Sequence, residues 1–429
     1  MAGRPLLAHV LDKARALEAA GIHVVFGHGG DAVRAAFPDS DLSWHEQHEQ
    51  LGTGHAVAQA LPAVPDDHDV LVLCGDVPLI SSGALQALVC AAESSMLSLM
   101  TAELGDPTGY GRIVRDGGRV ARIVEERDAT PEERRLTEIN TGIVVARAGR
   151  LRDWLSRVGN ENTQGEFYLT DVIALAVADG VTVEASLIAN ASEALGINDK
   201  RQLAAAERHY QLARADAVMS AGATLADPAR IDIRGRLEVG MDVFIDVGAV
   251  FIGAVTLGDG CRIGPNAVVR DSTLGPGTVV HANSVIEEAS VGAGCQIGPF
   301  ARLRPATELD AEGKIGNFVE TKKSRIARGS KVNHLSYIGD ATIGADVNVG
   351  AGTITCNYDG ANKHRTIIGD DAFIGSGVNL VAPIEVGAGA TIGAGSTLTK
   401  DAPDGELTLA RNRQTTIEGW KRPVKRPKS

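Results

Sequence analysis

The chain has 429 residues, of which 44% are hydrophobic and 22% charged, and its formal charge is −12. That length exceeds what one ordinary core accommodates and calls for two domains or a long solenoid, while the negative charge argues against a general nucleic-acid binder. No long charge-free apolar run offers a membrane span, and Met1 to Lys13 lacks the basic start and apolar stretch of a secretory leader, so the expectation is a cytoplasmic protein with no membrane or nucleic-acid partner. The cysteines Cys74, Cys90, Cys261, Cys295 and Cys356 are scattered, with no C-x-x-C pair. They read as reduced buried thiols and not as a zinc site or a disulfide framework.

Up to about residue 200, strand-like aliphatic runs alternate with helical stretches, the pattern of a doubly wound α/β domain. Strands are predicted at 24–26, 70–73, 97–101, 123–125 and 142–146. The run Val70 to Leu73 leads into Cys74-Gly75-Asp76-Val77-Pro78 and reads as a parallel strand with a carboxylate at its end, where open α/β sheets place ligands. Asp76 is placed either to hold a hard cation such as Mg²⁺ or to cap a helix. Leu51-Gly52-Thr53-Gly54-His55 is a glycine loop without the lysine of a P-loop. From Asp199 to Ser220, Leu203, Ala206, Tyr210, Ala213 and Ala217 recur at helical spacing and Gly222 marks a stop, which predicts a connecting helix.

Beyond Pro228 the period changes to six. Ile368, Ile374, Leu380, Val386, Ile392 and Leu398 fall six residues apart, which fits a parallel β-helix with each hexapeptide as one side of a triangular coil. Gly369, Gly375, Gly387 and Gly393 follow several of these positions and are read as corner residues. The phase breaks at about 304–333 and again at 350–366, and both breaks read as loops projecting from the stack. The division expected is a domain at 1–198, a linker helix at 199–222 and a β-helix at 223–429. The end, Trp420 to Lys428, reads as a disordered basic tail or an anion-contacting arm.

The first break is rich in Arg and Lys, including Arg304 and Lys322, and is followed by His334 and Tyr337. This is either a solvated surface or a set of phosphate-binding cations close to a titratable imidazole. Asn357-Tyr358-Asp359-Gly360 with Asn362-Lys363-His364-Arg365, in the second break, is polar enough to be only a turn.

Five longer motifs carry a resemblance: Leu51-Gly-Thr-Gly-His, Gly75-Asp-Val-Pro-Leu, Asp106-Pro-Thr-Gly-Tyr-Gly-Arg, Glu138-Ile-Asn-Thr-Gly and Gly350-Ala-Gly-Thr-Ile-Thr-Cys-Asn-Tyr-Asp-Gly, in this order and with hexapeptides beyond. The chain resembles the bacterial bifunctional N-acetylglucosamine-1-phosphate uridylyltransferase and glucosamine-1-phosphate N-acetyltransferase from about Gly3 to Lys425. The resemblance implies a left-handed β-helix, a homotrimer with acetyltransferase sites between subunits, and acetyl-CoA and UTP as substrates. It implies His334 as catalytic base, with Arg304, Lys322, Tyr337 and Asn348 around the sugar phosphate and Glu320 orienting or polarising that pocket. Ala351, Asn357, Tyr358, Ser376, Ala394 and Arg411 match acetyl-CoA positions, and backbone N–H groups near Ala351 are candidates for holding the oxyanion. In the first domain Asp76 and Asn198 match the pair that holds Mg²⁺. Gln47, Gly52, Thr53, Cys74, Gly75, Gly111, Glu125 and Asn140 match positions that bind uridine nucleotide and N-acetylglucosamine.

The family opens with a strand, then L-A-A-G-x-G-T-R-M and a P-K pair, and this chain has none of these. Without them the triphosphate lacks a backbone cradle and the neighbouring strands lack a partner, at about 1 to 3 kcal/mol for each buried unpaired group. The expectation is either a start that lies upstream or an impaired uridylyltransferase. Retention of Asp76, Glu125, Asn140 and Asn198 favours the former. Three alternatives remain: an acetyltransferase whose first domain is a remnant, a zinc hydratase built on His281, His334 and His364, and a non-catalytic assembly module.

Overall fold

In the computed structural model, which describes residues 1–93 and 95–425, the strand Glu138–Arg147 is the axis of the first unit, Gly3–Glu207. Leu97–Glu103, Arg112–Asp116 and Asp69–Val72 all pair with it antiparallel, and Val183–Leu187 joins Leu97–Glu103 in parallel. Ile143 and Val145 point into one helix-covered cluster with Leu85 and Leu88, while Val144 and Ala146 point into another with Leu151 and Trp154. Alternation of side chains along one strand thus builds a three-layer α/β unit. Ile22–Phe26 and Leu42–Glu46 form a separate parallel pair.

The expectation of a parallel strand before Asp76 is corrected here, since Asp69–Val72 runs antiparallel to its partner. The helix-cap reading of Asp76 also falls, because the next helix begins at Ser82. The connecting helix is Lys200–Ser220, and Asp199 caps it: its carboxylate accepts from the N–H groups of Arg201 and Gln202, while the Gln202 amide oxygen accepts from Asp199 and Asn198. This reciprocal cap fixes the residue before the helix as well as the helix itself.

In the second unit, Arg208–Ser429, short parallel strands stack into a left-handed β-helix. Ile263, Val280, Ile297, Ile315, Val332, Val349, Ile374 and Ile392 succeed one another in register, so a regular coil takes 17 or 18 residues. The six aliphatics from Ile368 to Leu398 are all buried and form part of one continuous core.

The first predicted loop does not exist. Between Arg304 and Asn333 the coils continue, with Arg302, Glu320, Tyr337 and Ile354 stacked in successive strands. A 17-residue coil slips the six-residue phase by one without adding a loop, and buried Thr321 and Ser324 hid the pattern further. The second break is real: Ile326 pairs with Ile343 and Ile343 with Ile368, so this coil is longer and residues 357–364 project from it.

The glycine reading also changes. Gly369, Gly375 and Gly387 are not the left-handed residues; a Cβ there would fall 2.5–2.6 Å from a backbone nitrogen of the next coil, at Ala388, Ala394 and Asp404. Close approach of coils excludes the side chain, and the left-handed corners come at Asp371, Gly377, Gly389 and Gly395. Trp420 and Val424 are exposed, and residues 426–428 of the predicted tail lie outside the described residues.

Candidate active sites

One corner of the β-helix brings five of the expected residues into a ladder. Leu335 donates its N–H to Asn317 O, Gly352 to His334 O, Gly377 to Ala351 O and Gly395 to Ser376 O, and Arg411 Nη1 donates to Ala394 O. Asn317, His334, Ala351, Ser376, Ala394 and Arg411 therefore occupy the same place on successive coils. The adjacent corner residues, all left-handed, change character along the ladder: Phe300, Phe318 and Leu335 up to His334, then Gly352, Gly377 and Gly395. Beyond the imidazole the left-handed positions carry no side chain. The Ala351 N–H has no backbone acceptor among the described residues, whereas Gly350 and Gly352 on either side donate to Ile374 O and His334 O.

His334 is exposed, and its Nδ1 lies 2.8 Å from Asn317 Oδ1. An amide oxygen only accepts, so this contact places the proton on Nδ1 and leaves the Nε2 lone pair free. Ser336 Oγ donates to His334 O at 2.8 Å and secures the turn.

The face that follows this corner carries the cations. Arg304 Nη1 donates to Glu320 Oε1 at 2.6 Å, Glu320 stacks on Tyr337, and Lys322 ends the same strand as Glu320. Asn357 is buried, and its Nδ2 donates to Asp340 Oδ2 at 2.5 Å and reaches Tyr337 Oη at 3.5 Å. A Cβ at Gly339 would collide with this Tyr337–Asn357 contact. Asn348 is not brought to these residues within one chain, because it stacks between Lys331 and Phe373 on the preceding face. The expected acetyl-CoA residues likewise divide, with Asn357 and Tyr358 at the far end of the cationic face from the ladder. A zinc reading finds no convergence: His334 pairs with Asn317, His364 with Asp359, and His281 follows Val279–Val280 on the face that carries Asn348.

In the first unit the expected residues form a connected network. Gly111 O accepts from Asn140 N, and a Cβ on Gly111 would sit 3.4 Å from Glu125 Oε2 and 3.6 Å from Asn140. Burial pushes the Glu125 carboxyl up, nearby Asp171, Asp128 and Glu166 add to this, and the hydrogen bond from Thr170 Oγ1 at 3.0 Å opposes it. Asn140 Oδ1 accepts from Gly142 N, and the Cys74 thiol packs on Gly142, where burial and then the charge of Asp76 push it up to about 11. Gly75 has open space except toward Leu7. Asp76 and Asn198 flank Gly196: a Cβ there would lie 3.2 Å from Asp76 Oδ2 and 3.8 Å from Asn198 Nδ2. The Asp76 carboxylate has no hydrogen-bond or ion-pair partner among the described residues. Gln47 Nε2 donates to Gly52 O at 3.1 Å, and Thr53 Oγ1 accepts from Leu169 N at 3.0 Å. Gly52 and Gly54 lie against the Phe167 carbonyl, so their glycines serve chain packing.

Sequence reasoning missed Asn317, Asp340, Thr170 and Gly196. Asn317 and Asp340 lie one coil from the residues they serve, and coil length was the signal that could have found them. The segment from Phe167 to Thr170 links the glycine loop to Glu125 and has no motif of its own.

Residues 1–138 match the MobA-like NTP transferase domain, and residues 237–271 and 365–400 match the bacterial transferase hexapeptide (six repeats). The chain is 59% identical to the bifunctional protein GlmU of Alkalilimnicola ehrlichii over 426 residues, covering 99% of this chain and 92% of that one. Identity is 58% to the GlmU of an Azoarcus species, with 99% and 94% covered, and 56% to that of Ralstonia nicotianae, with 100% and 94% covered. At this identity over nearly the whole of both chains, the protein belongs to the bifunctional GlmU family.

Proposed function

We propose that the β-helix transfers acetyl from acetyl-CoA to the amine of glucosamine 1-phosphate, and that the first unit transfers uridylyl from UTP to the resulting N-acetylglucosamine 1-phosphate with release of pyrophosphate. The product, UDP-N-acetylglucosamine, serves peptidoglycan and lipopolysaccharide synthesis in the cytoplasm. The observation that carries the first reaction is the 2.8 Å contact of His334 Nδ1 with Asn317 at the foot of a corner whose next left-handed positions are all glycine. His334 Nε2 takes a proton from the substrate ammonium, and the freed nitrogen attacks the thioester carbonyl. The Ala351 N–H supports the oxyanion, the C–S bond breaks as the imidazolium gives its proton to the departing thiolate, and the neutral imidazole then takes the remaining proton from the amide nitrogen and passes it to solvent. Arg304, Lys322 and Tyr337, with Asn348, hold the sugar phosphate. The acyl donor lies along Ala351, Ser376, Ala394 and Arg411, where Gly352, Gly377 and Gly395 leave room.

The split of the acetyl-CoA residues between two corners supports a homotrimer in which a second copy supplies Asn357 and Tyr358. Phe300, Phe318 and Leu335 support it too: they are 49%, 55% and 63% exposed, the two rings stack at 5.3 Å, and each holds a left-handed backbone at about 1 to 2 kcal/mol. A second copy covering this corner gives those side chains a partner.

In the first unit, Asp76 brings a carboxylate oxygen and Asn198 its side-chain amide to the bare Cα of Gly196, and a carboxylate together with an amide oxygen would fit Mg²⁺. The ion would supply charge compensation for the phosphates. Gln47, Gly52, Thr53, Cys74, Gly75, Gly111, Glu125 and Asn140 together bind the uridine nucleotide and N-acetylglucosamine. The attacking phosphate is already anionic and needs no base.

The test is direct. Free thiol should appear from acetyl-CoA only when glucosamine 1-phosphate is present, and pyrophosphate from UTP only with N-acetylglucosamine 1-phosphate. Thiol release that ignores glucosamine 1-phosphate would remove the first assignment, and absence of pyrophosphate the second.

A further inference from the structure

The segment 357–364 is the only part of the described β-helix that leaves the coil path between His334 and Leu398, and its order comes from one carboxylate. Asp359 Oδ1 accepts from Ala361 N at 2.8 Å and Asn362 N at 2.6 Å, and its Oδ2 accepts from His364 Nε2 at 2.7 Å. These bonds hold the carboxyl well below the usual carboxylate range, with the Asn362 amide as the largest cause. His364 also closes the base of the segment, donating its N–H to Asn357 O at 2.9 Å. Between these ties Tyr358 and Lys363 face each other in an antiparallel bridge, and the Lys363 ammonium sits 4.4 Å from the Tyr358 ring centroid. Tyr358 Oη donates to Gly360 O at 2.6 Å, so the phenol is held at both ends while its ring remains 56% exposed. An exposed aromatic carrying a cation on one face presents a fixed surface to a flat or anionic group.

From this geometry we infer that Asp359 and His364 are positioning residues: the His364–Asp359 bond sets the ring of Tyr358 and the ammonium of Lys363 for the acyl donor. This rests on the reading of Tyr358 as an acyl-donor contact. A loop of this size held in one conformation avoids the ordering entropy that a free loop loses on binding. Losing the bond therefore weakens donor binding more than chemistry at His334.

The experiment measures kcat and KM for acetyl-CoA in the full chain, for the wild type and for Tyr358→Ala, His364→Ala and His364→Gln. Gln carries an N–H donor at similar reach and restores the bond to Asp359. The expected result is a KM raised about tenfold in His364→Ala with kcat within about twofold, and a KM near wild type in His364→Gln. An unchanged KM in His364→Ala, a loss confined to kcat, or a His364→Gln as impaired as His364→Ala would overturn the inference. Tyr358→Ala separates the two levels: no rise in its KM removes the acyl-donor reading itself. A rise there with His364→Ala unaffected removes only the positioning role.

Discussion

At the scale of single residues, the β-helix site turns on one polar neighbour and the site of the first unit on one buried carboxyl. Asn317 offers His334 a neutral acceptor, so the imidazole keeps its proton on Nδ1. Asn317→Ala removes that acceptor and should lower kcat for acetyl transfer about tenfold; an unchanged kcat would show that Asn317 does not orient the ring. In the first unit Glu125 is a carboxyl raised chiefly by burial. Its unfolded form ionises at lower pH than its folded form, so its contribution to stability is intact below the ordinary carboxylate range and is lost as pH rises through the raised value. Glu125→Gln should therefore raise the midpoint at pH 8, by about 2 to 4 °C for each kcal/mol in a unit of this size, and leave it unchanged near pH 4. Binding of N-acetylglucosamine 1-phosphate should weaken in the same variant. Equal midpoint shifts at both pH values, read by calorimetry, would contradict the role of burial.

At the scale of elements, the β-helix depends on how closely its coils approach. Gly375 has an ordinary φ, yet a Cβ there would lie 2.5 Å from Ala394 N, which belongs to the ladder proposed to hold the acyl donor. Gly375→Ala should cost about 1 to 3 kcal/mol by overpacking and raise the KM for acetyl-CoA through displacement of Ala394. An unaltered denaturation midpoint would mean that the coil spacing yields freely. The same spacing explains what could be read from the chain beforehand. Ile368 to Leu398 announce the fold because each faces the core at an unbroken interval. Between Arg304 and Asn333 the interval shortens once per coil and threonine or serine replaces some aliphatics, so a regular wall looked like a loop. Arg304 and Lys322 stand out in the chain as cations close to the His334 imidazole, and the roles proposed for all three rest on the resemblance. Asn317, Asp340 and Gly196 do not stand out, since each meets its partner through the fold and not through a neighbouring position in the chain.

At the scale of the whole molecule, the residues proposed for acetyl transfer are divided in place. The ladder from His334 to Arg411 lies at one corner, Asn357 and Tyr358 at another, and Asn348 on the face before the ladder. On the proposed reading a second copy completes the acetyltransferase, and the exposed Phe300, Phe318 and Leu335 are the side chains that it would cover. Phe318→Lys should shift the mass seen by light scattering from trimer toward monomer and remove acetyl transfer with it; a monomer that retains full activity would show that one chain suffices. The central claim is that His334 is the base for acetyl transfer, and the most direct measurement is thiol release from acetyl-CoA with glucosamine 1-phosphate by His334→Ala. The account predicts a trimer with acetyl transfer lost. A trimeric His334→Ala with near-normal acetyl transfer would contradict it.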